Sequence, residues 1–293
     1  MRWIELSVEA TAASVDAVSD ILVEAGTGGA VIGKTFADSP DNPNRVTGYL
    51  PVDDRLEERL GRIRDRVRLL PTFGLSLQSD EISIDWIEDQ EWETAWKKHF
   101  KPVRVGRIIV KPTWEQIDAG PDDLVVEIDP AMAFGTGYHP TTQLCLLALQ
   151  DYVKPGDIVL DVGTGSGVLA IAAALLGAQR VSAIDIDTIA VDTAIENVAQ
   201  NGLSDLIDVM RADTPMAYGD EANVVVANII AKVLIDMASD LAAKVMPGGL
   251  LIACGIINER ADDVRRAFEA AGVLTVEQRV DGDWVAIIGR KEA

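Results

Sequence analysis

Three glycines at alternate positions mark the segment of this sequence best suited to chemistry, residues 161–167, with the letters DVGTGSG. The segment follows a short apolar run and precedes an alanine-rich one, which predicts a turn between a strand and a helix. Glycine has no Cβ and adopts positive φ without strain, so backbone N–H groups and a helix N-terminus can approach a ligand closely. The pattern indicates a turn that binds a nucleotide-like cofactor, although strand–helix packing alone also selects such turns.

The spacing of these glycines distinguishes two classes of cofactor. Dinucleotide-binding turns have the pattern G-x-G-x-x-G, whereas here the third glycine comes one residue early and Val168 occupies its place. The form D-x-G-x-G-x-G resembles the first motif of S-adenosylmethionine-dependent methyltransferases. That resemblance implies a turn around the methionine part of the cofactor, with Asp161, Gly163 and Gly165 as binding residues.

Further candidates lie where predicted strands end, because open α/β sheets bind ligands beyond the carboxyl ends of their strands. Asp185 follows Gly163 at close to the spacing of about twenty residues at which a carboxylate accepts hydrogen bonds from ribose hydroxyls. Asp187 directly precedes Thr188, and we expect it to cap the next helix. Asp213 either receives the adenine amino group or serves packing or capping.

Asn228 is the candidate for orienting an acceptor amine. An attacking nitrogen must be neutral, and a side-chain amide oxygen beside a backbone carbonyl can hold its remaining hydrogens for in-line attack. The alternative is that Asn228 caps a helix predicted over residues 229–246. The local sequence leaves both interpretations open.

The loop at residues 129–142 has a composition that a simple linker does not need. Gly135 and Gly137 flank Thr136, which predicts a flexible clamp with a hydroxyl for the cofactor, and Phe134 offers an apolar cover.

The end of this loop opens an apolar helix. Thr141 or Thr142 could cap that helix after Pro140, or offer a hydroxyl to the cofactor's carboxylate or to the substrate amine. His139 could accept a proton, but a structural imidazole is favoured.

The C-terminal part of the chain is predicted to alternate between strands and helices, and these elements must position the candidate site residues. Seven strands are predicted in the C-terminal part, and only the turn at residues 281–283 separates the last two, so the sheet should end in an antiparallel hairpin. This pattern predicts an α/β fold with a seven-stranded Rossmann-like class I methyltransferase sheet. The predicted strands cover residues 158–161, 180–186, 207–211, 224–228, 250–254, 274–280 and 284–288.

The N-terminal part predicts a separate α+β domain. Its order β-α-β-β-α-β over residues 1–88 is that of a ferredoxin-like domain. A linker helix follows at residues 89–101, with Trp92, Trp96 and Phe100 on one face, which favours packing against a neighbouring domain over ligand stacking. Residues 102–293 form the predicted catalytic domain.

Composition narrows the possible partners. The chain has 293 residues, of which 48% are hydrophobic, and its net charge of −21 opposes tight binding to nucleic acid and favours a cationic partner. Arginines between residues 55 and 68 alternate with acidic residues, which favours a solvated helix face over an RNA-binding surface. No signal peptide or membrane-spanning run is evident, so we expect a soluble cytoplasmic protein.

The cysteines and histidines give no metal site. Cys145 and Cys254 lack metal-ligand spacing, and only His99 and His139 could join them. We therefore expect neither a metal nor a disulfide, as in a protein of the reducing cytoplasm.

Several motifs together closely resemble those of the bacterial methyltransferases of ribosomal large-subunit protein L11, the PrmA type. The resemblance covers the whole chain, and the loop at residues 129–142 is its most specific part. The motifs are Asp129-Pro130, Phe134-Gly135-Thr136-Gly137, His139-Pro140-Thr141-Thr142, residues 161–167, Ala227-Asn228-Ile229-Ile230-Ala231, residues 91–102 and residues 284–289.

The resemblance implies that residues 1–88 recognise the ribosomal protein while the C-terminal domain methylates several of its lysine or N-terminal amines, with S-adenosylmethionine as cofactor. We expect a monomer that binds no nucleic acid directly. The expected cofactor-binding residues are Thr136, Gly137, Thr142, Asp161, Gly163, Gly165, Asp185, Asp213 and Asn228, and the expected catalytic residues are Asn228, Thr142 and Phe134.

Two alternatives stand beside this hypothesis. One is a methyltransferase that acts on RNA or on a small-molecule amine, with the N-terminal domain as an RNA reader. The other is a cofactor-binding module without catalysis. The acidic net charge argues against RNA, and the presence of Asp185, Asn228 and the loop at residues 129–142 argues against a module that has lost catalysis.

Overall fold

The computed structural model describes residues 3–11, 14–27, 30–34, 44–53, 55–73, 75–87, 101–129 and 137–292. The chain divides into two compact units, Met1–Phe100 and Lys101–Ala293. Phe134, Thr136 and the predicted linker helix, apart from its last residue, lie outside the described residues.

The first unit is a four-stranded antiparallel sheet with two helices. Its strands lie in the order β2-β3-β1-β4, which is the order of a ferredoxin-like domain. The elements are β1 Trp3–Ala10, α1 Val15–Leu22, β2 Ala30–Lys34, β3 Asn44–Pro51, α2 Leu56–Leu69 and β4 Leu77–Ile87.

Alternation along β1 builds the core of this unit. Ile4, Leu6 and Val8 point to one face of the sheet and are all buried. One face of α2 is buried too, and it contributes Leu56, Leu60, Ile63 and Val67. The unit therefore has its own hydrophobic core, which joins α1, α2 and the sheet.

The second unit contains a small sheet and a large one. The small sheet joins β5, β6 and β7, and the large one has the order β10-β9-β8-β11-β12-β14-β13. The elements are β5 Val103–Val105, β6 Ile108–Lys111, β7 Leu124–Glu127, α3 Pro140–Tyr152, β8 Ile158–Val162, α4 Val168–Leu175, β9 Arg180–Asp185, α5 Thr188–Gln200, β10 Ile207–Arg211, β11 Ala222–Asn228, α6 Ala231–Asp236, α7 Ala238–Lys244, β12 Val245–Ile257, α8 Ala261–Ala270, β13 Val273–Asp281 and β14 Trp284–Lys291.

The large sheet confirms the predicted α/β fold class. Strands β8 to β12 pair in parallel, and β14 pairs antiparallel with both β12 and β13, so the sheet does end in the predicted hairpin. The chain runs from β8 outward to β10 and then returns to β11 on the other side of β8. This reversal puts a topological switch point at the carboxyl end of β8, where α/β sheets bind ligands.

Helices cover both faces of the large sheet. Val224 and Val226 of β11 belong to a core with α3 and α4, while Val225 between them belongs to a second core with α6, α7 and α8. Because both faces are buried, the strands are continuous apolar runs rather than alternating ones.

The helix predicted over residues 229–246 is wrong in its extent. The structure has two helices there, α6 and α7, and Met237 between them leaves helical dihedrals, with φ −100° and ψ 8°. Both helices contact α8 and β12, and α7 also contacts the 3₁₀ turn Pro215–Ala217.

Within the part of the chain that the structure describes, every helix is too short or too polar to cross a bilayer.

Candidate functional site

The glycine-rich turn joins β8 to α4 at the switch point. Gly163, Gly165 and Gly167 have φ values of 75°, 55° and 84°, in the left-handed region that favours glycine. Gly167 is the N-cap of α4. The predicted strand–turn–helix is therefore correct, and the three glycines are required by the backbone conformation.

The backbone N–H groups of this turn bind within the protein. The N–H groups of Gly163 and Thr164 both donate to the carbonyl of Ile184, at 2.9 and 3.0 Å. The N–H of Gly165 donates to Oδ2 of Asp185 at 2.9 Å. These amides are therefore committed to β9, unlike the free amides that cradle a phosphate group.

Gly163 also makes room for the end of β11. A Cβ on Gly163 would stand 2.4 Å from Cγ2 of Ile229, and a Cβ on Gly255 of β12 would stand 2.4 Å from the Ile229 carbonyl oxygen. Ile229 is thus held between two glycines. Sequence reasoning missed Gly255, although a glycine inside an apolar strand often marks a close backbone approach.

Asp161 lies beneath the turn and is fully buried. Its Oδ2 accepts a hydrogen bond from the hydroxyl of Thr164 at 2.7 Å. Burial raises the pKa of Asp161 to about 7, the Thr164 hydrogen bond opposes that rise, and the nearby charge of Asp185 adds to it. Its visible role is to hold the turn from below, and its predicted contact with a cofactor stays a prediction.

Asp185 ends β9 beside the turn. Besides Gly165, it accepts a hydrogen bond from the N–H of Asp187, at 3.0 Å to Oδ1. An ionised carboxylate has about four acceptor positions, so two remain for a ligand. Asp187 caps α5 by accepting from the N–H of Ile189 at 2.9 Å, which confirms the predicted cap.

Asp213 is exposed after β10. The 3₁₀ turn that follows is capped by Thr214, whose hydroxyl accepts from the N–H of Met216 at 3.2 Å. Capping by Asp213 is therefore wrong, because the next residue supplies the cap. Its contact with an adenine stays a prediction.

Asn228 ends β11 and contacts Thr142 across the site. Its Nδ2 donates to Oγ1 of Thr142 at 3.4 Å, between residues 86 positions apart in the chain. The N-cap of α6 is Ile230, so the interpretation of Asn228 as a helix cap is wrong. With Nδ2 directed at the buried Thr142, the acceptor atom Oδ1 is available to a donor from outside.

His139 begins α3. Its Nδ1 accepts from the N–H of Thr141 at 3.3 Å and shares a hydrogen bond with the Thr141 hydroxyl at 2.7 Å, so His139 is the N-cap and the prediction of a threonine cap is wrong. The ring packs edge-on against Trp284, with 4.8 Å between ring centroids. Burial lowers the pKa of His139 to about 4. The predicted structural imidazole is confirmed.

Gly137 lies at the described end of the loop before α3. Its φ is 85°, and a Cβ there would stand 3.1 Å from the side chain of Val110 on β6. Gly137 therefore lets the loop pack closely on the small sheet, and its predicted contact with a cofactor stays a prediction.

Acidic, cysteine and histidine side chains form no group of three or more that could hold a metal ion within the described ranges. Cys145 and Cys254 are both free and buried.

Comparisons with known proteins agree over the whole chain. The family model described as ribosomal protein L11 methyltransferase (PrmA) matches residues 2–292. The ribosomal protein L11 methyltransferase of Pelotomaculum thermopropionicum is 43% identical, with 100% of both chains covered, and that of Geobacillus kaustophilus is 40% identical, with 99% of this chain and 100% of its own covered. A crystal structure of ribosomal protein L11 methylase from Lactobacillus delbrueckii subsp. bulgaricus has a TM-score of 0.63 at 29% identity, and covers 66% of this chain and 100% of that one.

We expect the substitution Gly163→Ala to weaken S-adenosylmethionine binding by at least about tenfold, because the new Cβ collides with Ile229 and strains φ. Gly202→Ala is the matched control, since Gly202 has φ 68° but open space around its Cβ position. Isothermal titration calorimetry measures both. Equal affinities for the two variants would contradict the importance of the close approach.

The pKa of His139 predicts part of the pH dependence of stability. Because the pKa is about 4 in the folded chain and about 6.5 when unfolded, the unfolded state takes up the proton first, and the free energy of unfolding falls as the pH drops through this window. Asp161 acts with the opposite sign between about pH 7 and 4, because its pKa is raised on folding.

The substitution His139→Asn isolates the histidine contribution, since asparagine also caps helices. As the pH drops from about 7 to 5, the free energy of unfolding should fall by about 1 to 2 kcal/mol less in the variant than in the wild type. Urea unfolding at both pH values measures the difference. The same pH dependence in both proteins would show that His139 is not held neutral by burial.

Proposed function

The chain belongs to the family of ribosomal protein L11 methyltransferases, and from that membership we propose that it methylates lysine or N-terminal amines of ribosomal protein L11. The observation that carries the proposal is Asn228 at the switch point, with Nδ2 directed at Thr142 and Oδ1 available to an amine. The cofactor is S-adenosylmethionine, which supplies an electrophilic methyl group when bound.

The glycine-rich turn fits this cofactor better than a dinucleotide. The N–H groups of Gly163, Thr164 and Gly165 are used within the protein, and S-adenosylmethionine carries no phosphate that would need them. Its amino-acid part needs close access instead, which the missing side chains at Gly163 and Gly165 provide. Asp185 keeps two acceptor positions for ribose hydroxyls.

The remaining predicted contacts complete the binding site. Thr142 offers its hydroxyl at the start of α3, and Gly137 and Thr136 come from the loop before it. Asp213 stands after β10, where an adenine amino group needs an acceptor. Phe134 is assigned from the sequence as the apolar cover of the acceptor amine, and Phe134 and Thr136 lie outside the described residues. The other assignments follow from the family resemblance and, for Thr142, from its contact with Asn228.

Asn228 prepares the amine for attack. The amine must present a lone pair, so a lysine ammonium loses a proton before it binds. Oδ1 of Asn228 then accepts an N–H of the amine and turns the lone pair toward the methyl group, while Thr142 holds Nδ2 and fixes the plane of the amide. His139 does not serve as the base, because its Nδ1 is committed to the start of α3.

Each part of the chain has its own proposed role. Residues 1–88 recognise the ribosomal protein, residues 89–101 connect the two domains, and residues 102–293 catalyse methyl transfer. A net charge of −21 attracts a basic ribosomal protein and opposes direct contact with nucleic acid. The protein acts as a monomer in the cytoplasm, where ribosomal proteins are made.

A labelling experiment tests the substrate. The protein is incubated with S-adenosylmethionine carrying a radioactive methyl group, together with separated ribosomal proteins and ribosomal RNA from cells that lack this activity. We expect label in protein L11. Label in RNA alone would support the RNA methyltransferase, and cofactor binding without transfer to any component would support a non-catalytic module.

The substitution Asn228→Ala tests the role of the amide. We expect turnover on protein L11 to fall by about a hundredfold, while the affinity for S-adenosylmethionine changes by less than about threefold. Asn223→Ala is the matched control, because Asn223 lies at the other end of β11 and accepts from the N–H of Ile158 at 2.8 Å. That variant should lose stability and keep its turnover. Normal turnover by Asn228→Ala would exclude the assigned role.

A further inference from the structure

Asn197 connects two segments of the candidate site without reaching its surface. It lies on α5 and is 2% exposed. Its Nδ2 donates to the carbonyl of Ser166 in the glycine-rich turn at 2.8 Å, and its Oδ1 accepts from the N–H of Asp129 at 3.1 Å. One planar amide therefore holds the turn at one end and the residue that opens the loop at 129–142 at the other.

Asp129 is also held from its other side. Its Oδ1 accepts from the N–H of Thr113 at 3.1 Å and from the Thr113 hydroxyl at 2.7 Å. The start of the loop is therefore fixed between the segment after β6 and α5. A shift of Asn197 would be transmitted to Asp129.

A second asparagine, one helical turn later, provides a natural comparison. Asn201 accepts from the N–H of Glu127 at 3.0 Å and donates to the Glu127 carbonyl at 2.7 Å. It also donates to the carbonyl of Asn197 at 2.7 Å. Asn201 therefore attaches β7 to the end of α5, and none of these three hydrogen bonds reaches the glycine-rich turn.

We propose that Asn197 is a positioning residue for cofactor binding, which sets the distance between the glycine-rich turn and the start of the loop at residues 129–142. The amide is rigid, so Ser166 and Asp129 cannot move apart without breaking one of its two hydrogen bonds. Both segments carry residues assigned to the cofactor, namely Gly163 and Gly165 on one side and Gly137 on the other. The inference rests on the proposed function for these contacts.

Burial explains why Asn197 couples the position of the glycine-rich turn to that of Asp129. A buried amide that loses one partner leaves a donor or acceptor without a hydrogen bond, and the structure then relaxes to recover it. At Asn197 that relaxation moves one wall of the site relative to the other. At Asn201 it loosens β7 while the glycine-rich turn keeps its hydrogen bond to Asn197.

Two variants of Asn197 test the proposal against a purely structural role. Asn197→Ala removes both hydrogen bonds, and Asn197→Asp keeps the acceptor for Asp129 but replaces the donor to Ser166 with an oxygen. We expect each to raise the Kd for S-adenosylmethionine by about tenfold, the loss that one buried hydrogen bond implies. Asn201→Ala is the matched control. It should lower Tm about as much as Asn197→Ala does, but change Kd by less than about threefold.

Titration calorimetry and thermal unfolding on the full chain measure Kd and Tm, and no methyl acceptor is needed. Hydrogen exchange adds a direct readout, since at one subsaturating concentration S-adenosylmethionine should protect residues 137–142 in the wild type and in Asn201→Ala but much less in Asn197→Ala. Wild-type affinity in both Asn197 variants would overturn this inference and leave the proposed function unaffected. Equal loss of affinity in the Asn197 and Asn201 variants would also overturn it, because Asn197 would then be purely structural. A wild-type protein that does not bind S-adenosylmethionine would contradict the proposed function as well.

Discussion

The close approach of three strand ends around Ile229 is the constraint on which the site depends. The turn after β8, the end of β11 and the bulge in β12 meet there, and only glycine fits at positions 163 and 255. Because Ile229 follows Asn228 directly, fixing its backbone also fixes the asparagine. The turn to which we assign the cofactor and Asn228, to which we assign the amine, are thereby held in one geometry by van der Waals contact.

The hydrogen bonds of the turn explain how a Rossmann-like sheet can serve a cofactor without phosphates. In a dinucleotide fold the amides after the first strand face the pyrophosphate. Here Ile184 and Asp185 accept hydrogen bonds from these amides, so β9 satisfies the turn internally. Recognition is then left to shape and to side-chain acceptors. Asp185 has both roles, since it accepts a hydrogen bond from the N–H of Gly165 and keeps acceptor positions for a ligand.

Two helices of the second unit begin at side-chain caps, and each helix carries a residue that contacts the candidate site. His139 caps α3, which brings Thr142 to face Asn228, and Asp187 caps α5, which carries Asn197 beneath the turn. Each cap satisfies N–H groups that a helix leaves unpaired, and in doing so it sets the rotation of the helix and the direction of its later side chains.

The sequence by itself determined the elements and their class. Apolar runs located the strands of the large sheet and the order of the elements in residues 1–88, and the turn at residues 281–283 predicted the antiparallel edge. Asp187 was recognisable as a cap because capping is a local interaction. Tertiary structure decided what the polar residues do. The fold excluded Asn228 as a helix cap and brought it to Thr142, 86 positions away. Gly255 and Asn197 had no local signal that named their partners. The predicted helix at 229–246 divides at Met237, and only its second half reaches the 3₁₀ turn Pro215–Ala217. Periodicity reports which face of an element is apolar, whereas a hydrogen bond between distant residues exists only once the fold has set their separation.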